Sequence, residues 1–479
     1  LTNGTSYTFI VTTVNTVGTG ASSSASNAVT PATIPGAPTN VSATAGNSQA
    51  SVGWNAPATT SGAAVTAYKV IASPGDQTVT VDGVTLSATF IGLTNGTPYT
   101  FTVVTKNRVG YSEPSDASNA VTPATVPGAP TSIYATSGNK QSTVNWAAPT
   151  SIGGSPITAY TVTANPGGQT ERVDGSTLTA TFTSLTNGTS YTFSVVATNT
   201  VGIGATSSTS NAVIPATIPG APTNVTAAAG NTQAMVNWAA PTSIGGSPIT
   251  AYKVTANPGG QTVTVDGSTL TATFTSLVNG TSYTFTVVPT NTVGTGTISS
   301  TSNAVTPATI PGAPTNVSAT AGNTQAMVTW SAPSSTGGST ITGYEVTASP
   351  GNQTVTVNGS IHTATFTGLT NGTSYTFIVT TINTVGTGAS SSASNAVTPA
   401  TIPDAPTNAT TTAGNAQATV TWSAPTSTGG FPITSYTVTA NPGGQTANWS
   451  NGSLNFTLTG LTNGTSYTFA VVASNIVGT

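Results

Sequence analysis

The residues able to carry chemistry in this sequence are few and far apart. His362 is the single imidazole among 479 residues, and there is no cysteine. A Ser-His-acid triad needs a base, and a zinc site needs three or four N or S ligands held together. His362 has no carboxylate or thiol at ligand spacing. It sits where other repeats carry Leu or Thr neighbours, so it reads as a solvent-facing strand residue. Serine-rich tracts such as Ser22 to Ser26 read as loop composition rather than as nucleophiles.

Asp82, Asp174 and Asp266 recur at one register, each followed by Gly, and Asn358 takes the place in the next repeat. Calcium needs several oxygens from neighbouring groups. A lone Asp before Gly reads instead as a tight hairpin turn. Lys69 and Lys253 share a strand position with Thr161, Glu345 and Thr437, so a self-forming Lys to Asn cross-link is not general to the chain. No catalytic, cofactor-binding or metal-ligating residue is expected, no cofactor is called for, and the segment is not read as an enzyme.

Two features point outward. Asn-x-Ser/Thr patterns recur, including Asn3, Asn95, Asn187, Asn279, Asn371 and Asn463, although the turn they occupy itself demands Asn-Gly. Trp449 has no counterpart in other repeats and lies in ANWSNGSLNF, with Phe431 one connection earlier. An exposed aromatic there is able to stack on a sugar ring or a neighbouring subunit, while the bland reading is local packing in a diverged repeat. No Arg-Gly-Asp tripeptide is present, so integrin-style adhesion is not indicated.

Behind these residues stands a repeat. LTNGTSYTF opens the chain at Leu1 and returns, with at most a letter changed, at Leu93, Leu185, Leu277, Leu369 and Leu461, a period of 92 residues. A chain that starts inside its own repeat is expected to be a window onto a longer array. Only 3 % of residues are charged, with a net charge of −3, against about a quarter charged in an ordinary globular chain. Six basic residues cannot supply the clustered cations that nucleic acid requires, so no nucleic-acid partner is expected. No stretch approaches the roughly 18 apolar residues of a membrane span.

Within one period, Pro127 to Ile218, the prolines of VPGAP lead into an edge strand and Gly138-Asn139 make a turn. STVNWAAP alternates with Val144 and Trp146 on one face, and ITAYTVTANPGG with Tyr160 and Val162 on one face. A short strand, QTERV, ends at Asp174-Gly175. LTATF places Leu178, Ala180 and Phe182 together, and YTFSVVATN places Tyr191, Phe193, Val195 and Ala197 together. A last strand is expected around Asn211 to Val213. About seven period-two strands and no helical periodicity require a sandwich or barrel. One Trp per period (Trp54, Trp146, Trp238, Trp330, Trp422) and one Tyr (Tyr68, Tyr160, Tyr252, Tyr344, Tyr436) would anchor each core separately.

The PGAPTNV opening, the single second-strand Trp, the AYxV strand, the LTNGTxY corner and the N-x-V-G hairpin, in that order and repeated, resemble the fibronectin type III domain over essentially the whole chain. The resemblance implies an all-β fold, a tandem array of seven-stranded immunoglobulin-like β-sandwiches. It also implies a tyrosine corner at Tyr7, Tyr99, Tyr191, Tyr283, Tyr375 and Tyr467, whose hydroxyl turns back onto the preceding backbone. The domains expected are 35–126, 127–218, 219–310 and 311–402, flanked by the C-terminal part of one at 1–34 and the N-terminal part of another at 403–479.

Successive domains meet through AVTPATIPGAP, at Pro31 to Pro38, Pro123 to Pro130, Pro215 to Pro222, Pro307 to Pro314 and, with Asp404 for Gly, Pro399 to Pro406. Short proline-stiffened linkers predict a semi-rigid rod of about 150 to 200 Å. The function expected is a non-catalytic structural protein of the cell exterior, a surface fibre, sheath, stalk or adhesin built by self-association into a homo-oligomer or filament. A cell-surface polysaccharide is the other partner expected. The alternative is a run of spacer or accessory modules in a secreted polysaccharide-degrading enzyme, or a carbohydrate-binding adhesin.

Overall fold

The computed structural model describes residues 1–450 and 452–479. Asn451, inside the diverged ANWSNGSLNF stretch, lies outside the described residues. Among the described residues all regular structure is β-strand, and no helix is long and apolar enough to cross a membrane.

The chain falls into two compact units. One comprises Leu1–Ile218 with Ser243–Pro248 and Thr292–Gly294; the other comprises Pro219–Thr242, Ile249–Asn291 and Thr295–Thr479. The first unit contains the segment at 1–34, held by the antiparallel pairings Tyr7 with Val29 and Val14 with Thr19, and two complete sandwiches. The repeats after Pro219 are sandwiches of the same plan.

In the repeat from Pro127 to Ile218 the expected alternation produces seven strands: Thr131–Ser137, Ser142–Ala147, Ile157–Asn165, Thr170–Asp174, Thr179–Phe182, Thr192–Asn199 and Ile203–Thr206. The second strand lies between the fifth and the first. The other sheet runs in the order fourth, third, sixth, seventh. Each strand has one apolar face, so the two sheets bury those faces against each other. Trp146 and Tyr160 meet with ring centroids 5.4 Å apart, and Phe182 meets Phe193 at 5.0 Å. The Trp–Tyr pair recurs at Trp54–Tyr68, Trp238–Tyr252 and Trp330–Tyr344, all at 5.4 Å, and at Trp422–Tyr436 at 5.1 Å. Each cluster of buried apolar residues stays inside one repeat; the repeat after Asp404 has two clusters.

Three local expectations change. Leu178 lies outside the fifth strand and is 40 % exposed, while Ala180 and Phe182 are buried. Asp174-Gly175 is not a hairpin turn: the fourth strand pairs with the third, and the fifth belongs to the opposite sheet. Asp174 Oδ1 instead accepts from the Ser176 N–H (2.9 Å), the Ser176 hydroxyl (2.6 Å) and the Thr177 N–H (3.0 Å), an Asx turn at the crossover. Gly175 is needed for space, because a Cβ there would lie 1.9 Å from the Ile157 carbonyl oxygen.

The third change concerns the serines. The last segment advances three residues for every two of the sixth strand, from Ser207 opposite Val195 to Ser210 opposite Phe193 to Val213 opposite Tyr191. Its backbone carbonyls therefore fall out of step, and hydroxyls replace them. The Val195 N–H donates to Ser207 Oγ (2.9 Å) and the Phe193 N–H to Ser210 Oγ (3.0 Å). Ser23 and Ser26 do the same for Val11 and Phe9. The serine tracts are ladder positions rather than loop filler, and the Asn211 to Val213 region is a hydroxyl-bonded edge with a single regular bridge, Tyr191 to Val213. Asn211 then joins the sheets: its Oδ1 accepts from the Ala135 N–H (2.9 Å) and its Nδ2 donates to the Ala135 carbonyl (3.0 Å).

Candidate functional site

The chemistry-bearing residues do not converge. Among the described residues no three His, Cys, Asp or Glu side chains gather where they could hold a metal. His362 is exposed and places Nε2 3.3 Å from the Tyr344 hydroxyl, with the rings edge to face at 5.4 Å. Its carbonyl accepts the Trp330 N–H, as Leu178 does for Trp146, so His362 occupies a leucine position. Lys69 faces Thr80 and Val104 across the sheet, and Lys253 faces Thr264 and Val288. Trp449 stacks obliquely on Phe456 at 5.2 Å inside its own domain. Hydrogen bonds hold the Asp174 carboxyl below the usual carboxylate range, the Ser176 hydroxyl first, then the Ser176 N–H and the Thr177 hydroxyl. Asp82 and Asp266 are lowered in the same way, chiefly by the Thr85 and Ser268 hydroxyls.

What does converge, at one place per period, is the joint between consecutive domains. The corner supplies its first side. The Tyr191 hydroxyl accepts from the Thr186 N–H at 3.2 Å, and the same bond forms at Tyr7, Tyr99, Tyr283, Tyr375 and Tyr467 with Thr2, Thr94, Val278, Thr370 and Thr462. The corner asparagine is bound on both atoms: Asn95 Oδ1 accepts from the Ser48 N–H (2.8 Å) and Nδ2 donates to Asn47 Oδ1 (2.9 Å). Asn187, Asn279, Asn371 and Asn463 are bound alike. A glycan on such a nitrogen would replace one of its two N–H groups, leaving one to serve the bond that fixes the turn.

The linker supplies the centre. Between the repeats on either side of Pro127, the Gly96 N–H donates to the Pro123 carbonyl (2.9 Å), the Thr125 N–H to the Gly153 carbonyl (2.8 Å) and the Gly128 N–H to the Ser151 carbonyl (2.9 Å). Asn199, the Asn of the N-x-V-G hairpin, donates from Nδ2 to the carbonyls of Thr125 (2.7 Å) and Ile152 (3.0 Å), while its Oδ1 caps the N–H groups of Val201 and Gly202. The loop Ser151–Gly154 of one domain is thereby tied to the linker, and it meets Asn95-Gly96 of the domain before. The joint beyond Gly280 repeats this: Gly280 to Pro307 (2.9 Å), Thr309 to Gly337 (2.8 Å), and Asn383 Nδ2 to Thr309 (2.8 Å) and Thr336 (2.9 Å). The sequence places the linker prolines and the corner, but it does not reveal the Gly-Gly loop or the clamp asparagine as joint residues. Their only signal is recurrence at the period.

The family model of the fibronectin type III domain matches residues 36–121, 128–213, 220–305, 312–397 and 404–479, and the chain belongs to that family. Among curated proteins it is 36 % identical over 125 residues to a Kelch domain-containing protein of Saccharolobus solfataricus, covering 26 % of this chain and 17 % of that protein. It is 37 % identical over 192 residues to Chitinase A1 of Niallia circulans, 38 % of this chain and 26 % of the relative. It is 31 % identical over 280 residues to Exoglucanase B of Cellulomonas fimi, 55 % of this chain and 24 % of the relative. The chain therefore spans no more than 26 % of the length of any of these three relatives.

Proposed function

We propose, from the premise of a chain of tandem fibronectin type III domains, that it serves as a run of non-catalytic accessory modules in a secreted polysaccharide-degrading protein. There it would hold a catalytic or sugar-binding module at a set distance from its neighbour or surface. The observation that carries this reading is the linker, whose N–H and carbonyl groups at Pro123, Thr125 and Gly128 are bonded to the corner, loop and hairpin beside them. Backbone so engaged resists bending, as a spacer must. Similarity to regions of a chitinase and an exoglucanase supports the setting. The complete reading frame tests it: a polysaccharide-degrading or polysaccharide-binding module beside this array is expected, and a frame made of this repeat alone would overturn it.

A second reading, a surface fibre, sheath or adhesin formed by lateral self-association, is favoured by charge. Beyond Asp266 only Glu345 and Asp404 remain. Association between such surfaces is expected to be indifferent to NaCl up to molar concentration, and dissociation at moderate salt would count against it.

A further inference from the structure

The two glycines that meet across each joint determine how it is seated. Gly154 adopts φ +83, and a Cβ on it would fall 2.4 Å from the Gly96 nitrogen and 2.7 Å from the Asn95 carbonyl carbon. The same approach recurs at Gly62 on Gly4 (2.3 Å), Gly246 on Gly188 (2.4 Å), Gly338 on Gly280 (2.5 Å) and Gly430 on Gly372 (2.7 Å). The residue before it faces the linker instead: Ser61 fills that place at the first joint with φ 54, while a Cβ on Gly153, Gly245, Gly337 or Gly429 would fall 2.1 to 2.2 Å from a linker carbonyl oxygen. Every joint thus keeps glycine on glycine at this one contact.

We propose that this contact is a keyed seat. Backbone packs directly on backbone, so the loop of one domain can rest against the corner of the previous one in a single orientation, and any side chain would prop the joint open. The Asn199 clamp holds the loop to the linker, and the seat then prevents the pair from rocking. This rests on the spacer reading, because a seat of this kind is useful where spacing must be kept.

The test uses the whole chain, whose lack of cysteine allows clean labelling. Thr80→Cys and Thr170→Cys, both exposed and on either side of one joint, carry spin labels for pulsed dipolar distance measurement. The parent is expected to give one narrow distance distribution, and Gly154→Ala a distribution at least about twofold broader or shifted. Gly75→Ala is the control: it also has positive φ (+95) but nothing within 4 Å of its would-be Cβ, and it should leave the distance unchanged. A narrow, unshifted distribution in Gly154→Ala would overturn the seat while leaving the spacer standing. A broad distribution already in the parent would overturn the spacer reading itself. Should Gly154→Ala lose the near-ultraviolet signal of Trp146, Gly96→Ala decides by the same criterion, its Cβ lying only 3.1 Å from Gly154 Cα.

Discussion

The Tyr191 hydroxyl accepts the Thr186 N–H at 3.2 Å, five residues back along the chain. Phenylalanine keeps the ring in the core but leaves that N–H without its acceptor. Tyr191→Phe is expected to cost about 1 to 3 kcal/mol. For a domain of this size each kcal/mol lowers the melting temperature by roughly 4 to 8 °C. Calorimetry of the whole chain should show one domain's share of the transition moving down while the rest stays in place; an unmoved transition would contradict the role given to the hydroxyl.

Asn211 bridges the two sheets through both atoms of its amide, each bonded to the backbone of Ala135. Asn211→Ala removes two hydrogen bonds, each with a net worth of about 1 kcal/mol, and is expected to destabilise its domain by about 2 kcal/mol. The Ala135 amide proton should then exchange much faster than the Ala43 amide proton, which the equivalent Asn119 still holds.

Acid should separate the repeats. The folded Asp174 carboxyl titrates below its ordinary value near 3.9. Its turn bonds therefore stabilise fully above about pH 4 and are lost as pH falls through the lower folded value. The same holds for Asp82 and Asp266. Asn358 makes the equivalent bonds to Ser360 with no titratable group. Between pH 6 and pH 2, NMR should show the Ser176 amide losing protection and the equivalent Ser360 amide keeping it; parallel behaviour of the two would refute the assignment.

Much of this architecture is legible in the residues themselves. Trp146, Tyr160, Phe193 and Val195 lie on the buried faces that period-two alternation assigns them, because a strand buries every second side chain whatever its partner. The tyrosine corner is implied by the family resemblance that LTNGTSY helps to carry, and not by alternation. Sheet membership is less local. Asp-Gly suits a hairpin, but which sheet receives the next strand is decided by where Thr179–Phe182 finds its partner, Ser142–Ala147. The serine ladder was hidden for a similar reason: its three-for-two register exists only once two segments are aligned. The joint was the least visible of all, since Gly154 and Gly96 are 58 positions apart and only the folded pair explains why both lack a side chain.

Gly175 turns that lesson into a test. Were the dipeptide a tight hairpin, Gly175→Ala would strain only the backbone, at about 1 kcal/mol. Because a Cβ would meet the Ile157 carbonyl at 1.9 Å, the loss expected in a urea titration is nearer 3 kcal/mol, the upper end of ordinary single substitutions. A loss of 1 kcal/mol or less would restore the hairpin reading.

Small-angle X-ray scattering on the intact chain tests the spacer most directly. Closed domains with bonded linkers should give a normalised Kratky curve that falls at high angle, without the rising plateau of a flexible chain. Scattering of a flexible coil would contradict the account.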